Sequence, residues 1–327
     1  MSNVATKYMG LELKNPIIVS SSRLTRDLEG LKRCEEAGTG AVVLKSLFEE
    51  QIDVESDRMV GDLNFDAYTD AYDYFNEKSR DYYIDEYLEL VESAKKNLSI
   101  PVIASVNCVS DGGWIDYAER FEKVGADALE LNVFIIPADV DTPGEYIEKK
   151  YFDILKKVKK RVNIPVALKL GSHFSGMAHT MKRFGLEGAD ALVLFNRFYR
   201  PDINIENFTL KAGQILSAPQ EMGLTLQWIA ILAGKVKSDL VANTGIYNGK
   251  DVVKQILAGA KAVELCSSLM KNGLEVIPRM VEELSQYMER HGFESLDDFR
   301  GKMSQESIDH PETYERSQYI KSIVGIE

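Results

Sequence analysis

Four times along this chain a helical pattern stops at glycine and a short apolar run begins within a few residues: "EEAGTGAVVL", "EKVGADALEL", "GLEGADALVL" and "LAGAKAVEL". Glycine accepts the left-handed conformation that ends a helix. The runs that follow are apolar at consecutive positions, as expected of parallel strands covered on both faces. Extended over the chain, this reading predicts strands at 17–20, 41–44, 102–106, 128–131, 166–170, 191–195, 240–242 and 262–266. Helices are expected at 27–37, 84–96, 114–124, 144–162, 176–184, 224–233, 249–257 and 274–290. A roughly eightfold β-α alternation is the pattern of a TIM (β/α)8 barrel. The competing doubly wound sheet has fewer units and a glycine fingerprint after its first strand. Here the first strand runs into Ser20, Ser21 and Ser22 instead.

The 327 residues suffice for one large barrel domain spanning 1–327, with long βα-loop insertions at 49–97 and 197–223. In a barrel such loops lie on the face that carries function. The tyrosine-rich "DAYTDAYDYFNEKSRDYYIDEYLEL" reads as a packed helix or a subunit contact. A net charge of -12 argues against nucleic-acid phosphates and against a basic membrane patch. There is no apolar run of the roughly 20 residues needed to cross a bilayer, and no signal peptide is visible, so a cytoplasmic protein is expected. Cys34, Cys108 and Cys266 are odd in number and lack CxxC pairing. They suggest reduced thiols, with neither a disulfide framework nor a metal site.

Residues at the C-terminal ends of barrel strands converge on one place. Here those ends carry Ser20 and Ser21; Lys45 and Ser46; Asn107 and Cys108; Asn132; Lys169; Asn196 and Arg197; Asn243, Thr244 and Gly245; then Ser267 and Ser268. Lysines after "AVVL" and inside "VALKL" are costly to bury without a partner. With asparagines beside them they point to an anionic or electron-rich ligand. "ANTGIYNGKDV" sets Thr244, Gly245, Asn248 and Gly249 before a helix, and "ELCSSLMKNG" sets Ser267 and Ser268 before another. Amides and hydroxyls at such helix starts suit a phosphate. A flavin-free phosphate-binding barrel, a lyase or isomerase with Lys45 or Lys169 as a Schiff-base lysine, also fits these residues.

The pieces "NPIIVSSS", "VLKS", "LELN", "VALKL", "NTGIYNGKD" and "ELCSSLM", in this order and spacing, resemble the dihydroorotate dehydrogenase family. The resemblance covers most of the chain, to "LDDFRGK" near the end. It implies an FMN-dependent oxidoreductase of the pyrimidine-biosynthesis type, oxidising dihydroorotate or a related cyclic amide by hydride transfer to flavin N5. It implies that Ser20 and Ser21 lie beside the flavin, that Lys45 and Ser46 approach the ring, and that Lys169 faces the electron-rich N1/O2 edge. Asn132 would contact flavin or substrate, and Asn196 the substrate. Thr244, Gly245, Ser267 and Ser268 would hold the phosphate. It further implies a soluble electron acceptor and a homodimer.

The family loop that carries a catalytic cysteine or serine reads "NVFIIP" here. Ile135 aligns with the base, and Pro137 replaces an amide-bearing contact. Isoleucine accepts no proton, so the proton half of the family reaction should slow by roughly 10²–10⁴-fold. An FMN-binding relative idle in that reaction is therefore the alternative reading. Asn64 is a poor match to the family's substrate loop, and Arg197 stands where a small hydroxyl residue is expected. Substitute proton carriers are Cys108, His173 and Tyr199, with His179 farther along. Arg197 and Arg200 would grip a carboxylate, or pair with Asp202 or Glu206.

Overall fold

The computed structural model describes residues 3–52, 54, 69–108, 111–197 and 200–316, with side chains undescribed at 69–80 and 111. Asn64 and Tyr199 lie outside the described residues. The chain opens with an antiparallel hairpin, β1 (Thr6–Tyr8) and β2 (Leu11–Leu13). Met9 and Gly10 turn it, both with positive φ (50° and 82°), as in the two-residue turns that suit strand twist. Then come β3 (Ile17–Val19), β4 (Ala41–Val43), a short β5 (Leu47–Phe48), β6 (Val102–Asn107), β7 (Ala128–Val133), β8 (Val166–Leu170) and β9 (Ala191–Leu194). A second hairpin, β10 (Pro201–Asn204) and β11 (Thr209–Ala212), is followed by β12 (Asp239–Asn243) and β13 (Ala262–Leu265).

Strands β3, β4, β6, β7, β8, β9, β12 and β13 pair in parallel around a closed ring, β13 returning to β3. This is the TIM barrel read from the sequence, and each of the eight expected strands is in it. Three strand features went unread: the opening hairpin, the two-residue β5, and the β10–β11 hairpin inside the long 197–223 interval. The helix expected at 84–96 is the end of a longer one, Thr69–Asn97. Among the described residues no helix is long and apolar enough to cross a membrane.

Strand side chains alternate, and the alternation sorts them into two cores. Val19, Val42, Leu129, Leu131, Leu168, Leu170, Leu192 and Val263 face outward into the layer packed by the helices. Ile18, Ala41, Ile103, Ala128, Ala167, Ala191, Val241 and Ala262 face the barrel axis, together with Tyr8, Met9 and Leu13 of the opening hairpin. These axial residues lie near the starts of their strands, and five of the eight are alanine, which leaves room for the hairpin to plug that end. The Met9 amide donates to Asp239 Oδ2 at the start of β12 (2.8 Å), and the Thr6 hydroxyl donates to the Lys261 carbonyl (3.2 Å).

Candidate active site

Two residues further along each strand the same inward positions become polar: Ser20, Ser105, Glu130, Lys169, Asn243 and Glu264, with Val43 and Val193 completing the layer. A charged side chain on this axis needs partners. Lys169 Nζ donates to Ser20 Oγ at 2.8 Å and to Glu264 Oε2 at 2.8 Å, and lies 3.3 Å from Glu130 Oε1. The Ser20 hydroxyl donates to the same Glu264 oxygen (2.9 Å). Lys169, Glu130 and Glu264 are 4%, 1% and 1% exposed, so this is a buried ion cluster. Burial works against the ammonium, yet the charges of Glu130 and Glu264 hold Lys169 above its ordinary range. Burial and repulsion from Glu264 push Glu130 well up. Glu264 is equally buried, but Lys169 brings it below its usual range.

Sequence reasoning passed over Glu130 and Glu264, although both stood inside quoted motifs. The signal was there: a carboxylate two residues after an inward alanine, in phase with Lys169 in "VALKL".

Beside this cluster a cavity of about 350 Å³ is lined by Ser20, Ser21, Lys169, Thr244, Ser267 and Ser268, among others, with Glu264 and Asn196. Most of the expected cofactor residues thus come together. Ser268 Oγ is buried with no hydrogen-bond partner among the described residues, and the first amides of the helix Ser267–Asn272 have no carbonyl a turn behind them. Ser217, which sequence reasoning missed, braces this corner. Its amide donates to Ser267 Oγ (2.9 Å), and its hydroxyl accepts from the Gly245 amide (3.3 Å).

Gly245 has φ +77°, and a Cβ there would lie 2.4 Å from the Met222 backbone nitrogen. Gly245→Ala is expected to lose about 1–2 kcal/mol from its left-handed backbone alone, and more from the clash, read as a lower urea midpoint with an unchanged slope. Thr244, also at positive φ, donates its hydroxyl to the Phe195 carbonyl (3.1 Å). Asn248 and Gly249 serve the fold instead. Asn248 caps the helix Gly249–Ala258 by accepting from the Asp251 amide, and the Gly249 amide donates to Glu283.

Ser46 is buried in a chain of hydroxyls: its Oγ is 3.0 Å from Ser21 Oγ and 2.7 Å from Ser105 Oγ. Lys45 turns away from Lys169. It lines a separate cavity of about 470 Å³ with Tyr83 and Tyr87, its Nζ 5.7 Å from the Phe48 ring centre. Asn196 donates its side-chain amide to Asn132 Oδ1. Arg197 is taken up by Glu221 (2.7 Å) and the Ile215 carbonyl (2.7 Å), so its partner is neither Asp202 nor Glu206. Asp202 pairs with Lys211. Arg200 and the exposed His173 line a third cavity, about 590 Å³, which shares Asn196 and Thr244 with the first. His179 is exposed on the helix Met177–Leu186.

A fourth cavity, about 620 Å³, is lined by Asn107, Cys108, Val133, Phe134, Ile135 and Lys150, among others. The Ile135 amide donates to the Tyr151 hydroxyl (2.9 Å). Burial pushes the Cys108 thiol far up, and Glu49 and Glu50 add to the shift. A thiol held neutral is a poor proton acceptor. Among the described residues no group of three or more His, Cys, Asp or Glu could hold a metal.

A closed parallel barrel with a polar layer and cavities at the strand ends defines a (β/α)8 protein, a class that carries its functional sites on that face. The family profile described as dihydroorotate dehydrogenase matches residues 3–288. The chain belongs to the dihydroorotate dehydrogenase family. It is 26% identical to the catalytic subunit of dihydroorotate dehydrogenase B (NAD(+)) of Thermoplasma volcanium, covering 92% of this chain and 98% of the relative. The corresponding subunit of Methanocaldococcus jannaschii is also 26% identical, over 86% and 92%. The chloroplastic dihydropyrimidine dehydrogenase (NADP(+)) of Arabidopsis thaliana is 22% identical, over 94% and 79%.

Proposed function

We propose that this protein is an FMN-dependent oxidoreductase that acts on dihydroorotate or a related cyclic amide. The observation that carries the reading is the 350 Å³ cavity, which joins an unpartnered buried hydroxyl, Ser268, at one place to a buried ammonium, Lys169, at another. A ligand with a phosphate and an electron-rich ring edge suits that pair. In this reading Thr244, Gly245, Ser267 and Ser268 hold the phosphate, Ser20 and Ser21 flank the ring, and Lys169 faces its N1/O2 edge. FMN, when bound, supplies a two-electron acceptor. Asn132 and Asn196, already hydrogen-bonded to each other, present amide groups to a cyclic amide. Arg197 would serve a substrate only by giving up Glu221. Dihydropyrimidines are cyclic amides too, and one relative's name refers to them.

A second reading has its own support: an FMN-binding protein idle in the family reaction. Ile135 offers no proton acceptor, and the neighbouring Cys108 thiol is held neutral. The flavin-free Schiff-base reading loses one of its two lysines, because a lysine must be neutral to attack a carbonyl and Lys169 sits between two carboxyls that keep it charged.

The test is anaerobic. The purified protein is expected to be yellow, and excess dihydroorotate to bleach its flavin band slowly. A yellow protein that bleaches with dithionite but ignores both dihydroorotate and dihydropyrimidines supports the idle reading. A colourless protein that takes up no added FMN overturns both.

A further inference from the structure

Two carboxyls around one ammonium leave a surplus negative charge inside the barrel if all three groups are ionised, and an unbalanced buried charge is expensive. The hydrogen bonds distinguish the two acids. Glu264 Oε2 accepts two short ones, from Lys169 and from Ser20. Among the described residues Glu130 Oε1 has the longer contact of 3.3 Å alone. The remaining oxygens, Glu130 Oε2 and Glu264 Oε1, are buried and receive no hydrogen bond within the described residues. A single proton held on the carboxyl pair would cancel the surplus charge and turn one of the orphaned oxygens into a donor.

We propose that Glu130 and Glu264 share one proton around Lys169, and that the pair are positioning residues that cancel the lysine's charge toward an electron-rich ligand edge. The proton rests on Glu130, the less well solvated acid, and Glu264 stays ionised. The opposite shifts of the two acids agree with this: burial and Glu264 raise Glu130, while Lys169 outweighs burial at Glu264. Two neighbouring titratable groups, Tyr8 and Cys266, add no charge. Tyr8 on the plugging hairpin is kept neutral by burial and then by Glu264 and Glu130. Burial raises the Cys266 thiol on the exit of β13. Arg23 lines the same cavity, but from the loop after β3.

The arrangement buffers charge. Removing either acid alone lets the other ionise against Lys169, so the cluster stays neutral. Only removal of both exposes the ammonium. The second half of the proposal, the effect on a ligand, rests on the FMN reading; the first half does not.

Two measurements test it on wild type, Glu130→Gln, Glu264→Gln and the double variant. In FMN-free protein, infrared spectroscopy should show the carbonyl stretch of a buried protonated carboxyl, and either single substitution should remove it. In FMN-loaded protein, a dye-coupled redox titration reads the ratio of affinities for reduced and oxidised FMN. Each single variant is expected to keep that ratio within about threefold of wild type, and the double variant to raise it about tenfold or more. Absence of the band, or a band that survives both single substitutions, overturns the shared proton. Equal and additive increases in the ratio mean that both acids are ionised, which also overturns it. Should the double variant fail to fold, the infrared result on the single variants decides. Failure of wild type to take up FMN sinks the flavin reading and leaves the infrared test of the shared proton intact.

Discussion

Lys169→Met is expected to destabilise the protein by about 3–5 kcal/mol at neutral pH, the usual cost of removing one partner from a buried ion cluster. Methionine fills a similar volume, so the loss is electrostatic rather than a cavity effect. Lys169 satisfies three oxygens at once, those of Ser20, Glu130 and Glu264. Without it the one proton shared by the two carboxyls no longer suffices: the second must also be protonated at a pH that opposes it, or stay ionised with no cation in the layer. Adding Glu264→Gln should recover most of the loss, because the remaining acid can then be neutral and hydrogen-bonded. Urea unfolding of the single and combined variants reads both effects. A loss below about 1 kcal/mol would place the cluster in the range of solvated surface pairs and undo the account of its burial.

Ile135→Cys is expected to raise the rate of flavin bleaching by dihydroorotate by about 10²–10⁴-fold, the range supplied by a well-placed proton acceptor. The position suits the change. Ile135 lines the 620 Å³ cavity with Asn107 and Phe134, and its amide is anchored on the Tyr151 hydroxyl. Burial pushes the Tyr151 phenol up to about 12, so Tyr151 stays a neutral anchor and the loop's backbone should survive the substitution. Anaerobic stopped-flow spectroscopy with the wild type as reference is the measurement. An unchanged rate, with FMN still bound, would mean that dihydroorotate is not the substrate or that the base acts from elsewhere in the mouth.

What the sequence revealed followed from the physics of each element. Barrel strands are covered on both faces, so they read as continuous apolar runs and are legible. The opening hairpin has strands of three residues, too short for alternation to register, and only the Met9–Gly10 turn announces it. The β10–β11 hairpin is exposed along most of its length, with Ile203 and Leu210 facing solvent. Its pattern therefore carries no core signal. Lysines at strand ends stand out because a positive charge beside an apolar run is conspicuous. Their fates do not follow from residue type alone: Lys169 is enclosed by acids, while Lys45 leans over Phe48 in another cavity. Glu130 and Glu264 are the harder case, since their importance comes from sharing one inward layer across strands far apart in sequence. Asn248 and Gly249 suit a phosphate by residue type, yet the helix cap and Glu283 claim them.

The hairpin that carries Tyr8, Met9 and Leu13 turns the barrel into a vessel with a floor. A vessel with one opening has no through-traffic. Whatever reaches the charged layer above that floor must back out by the route it took in.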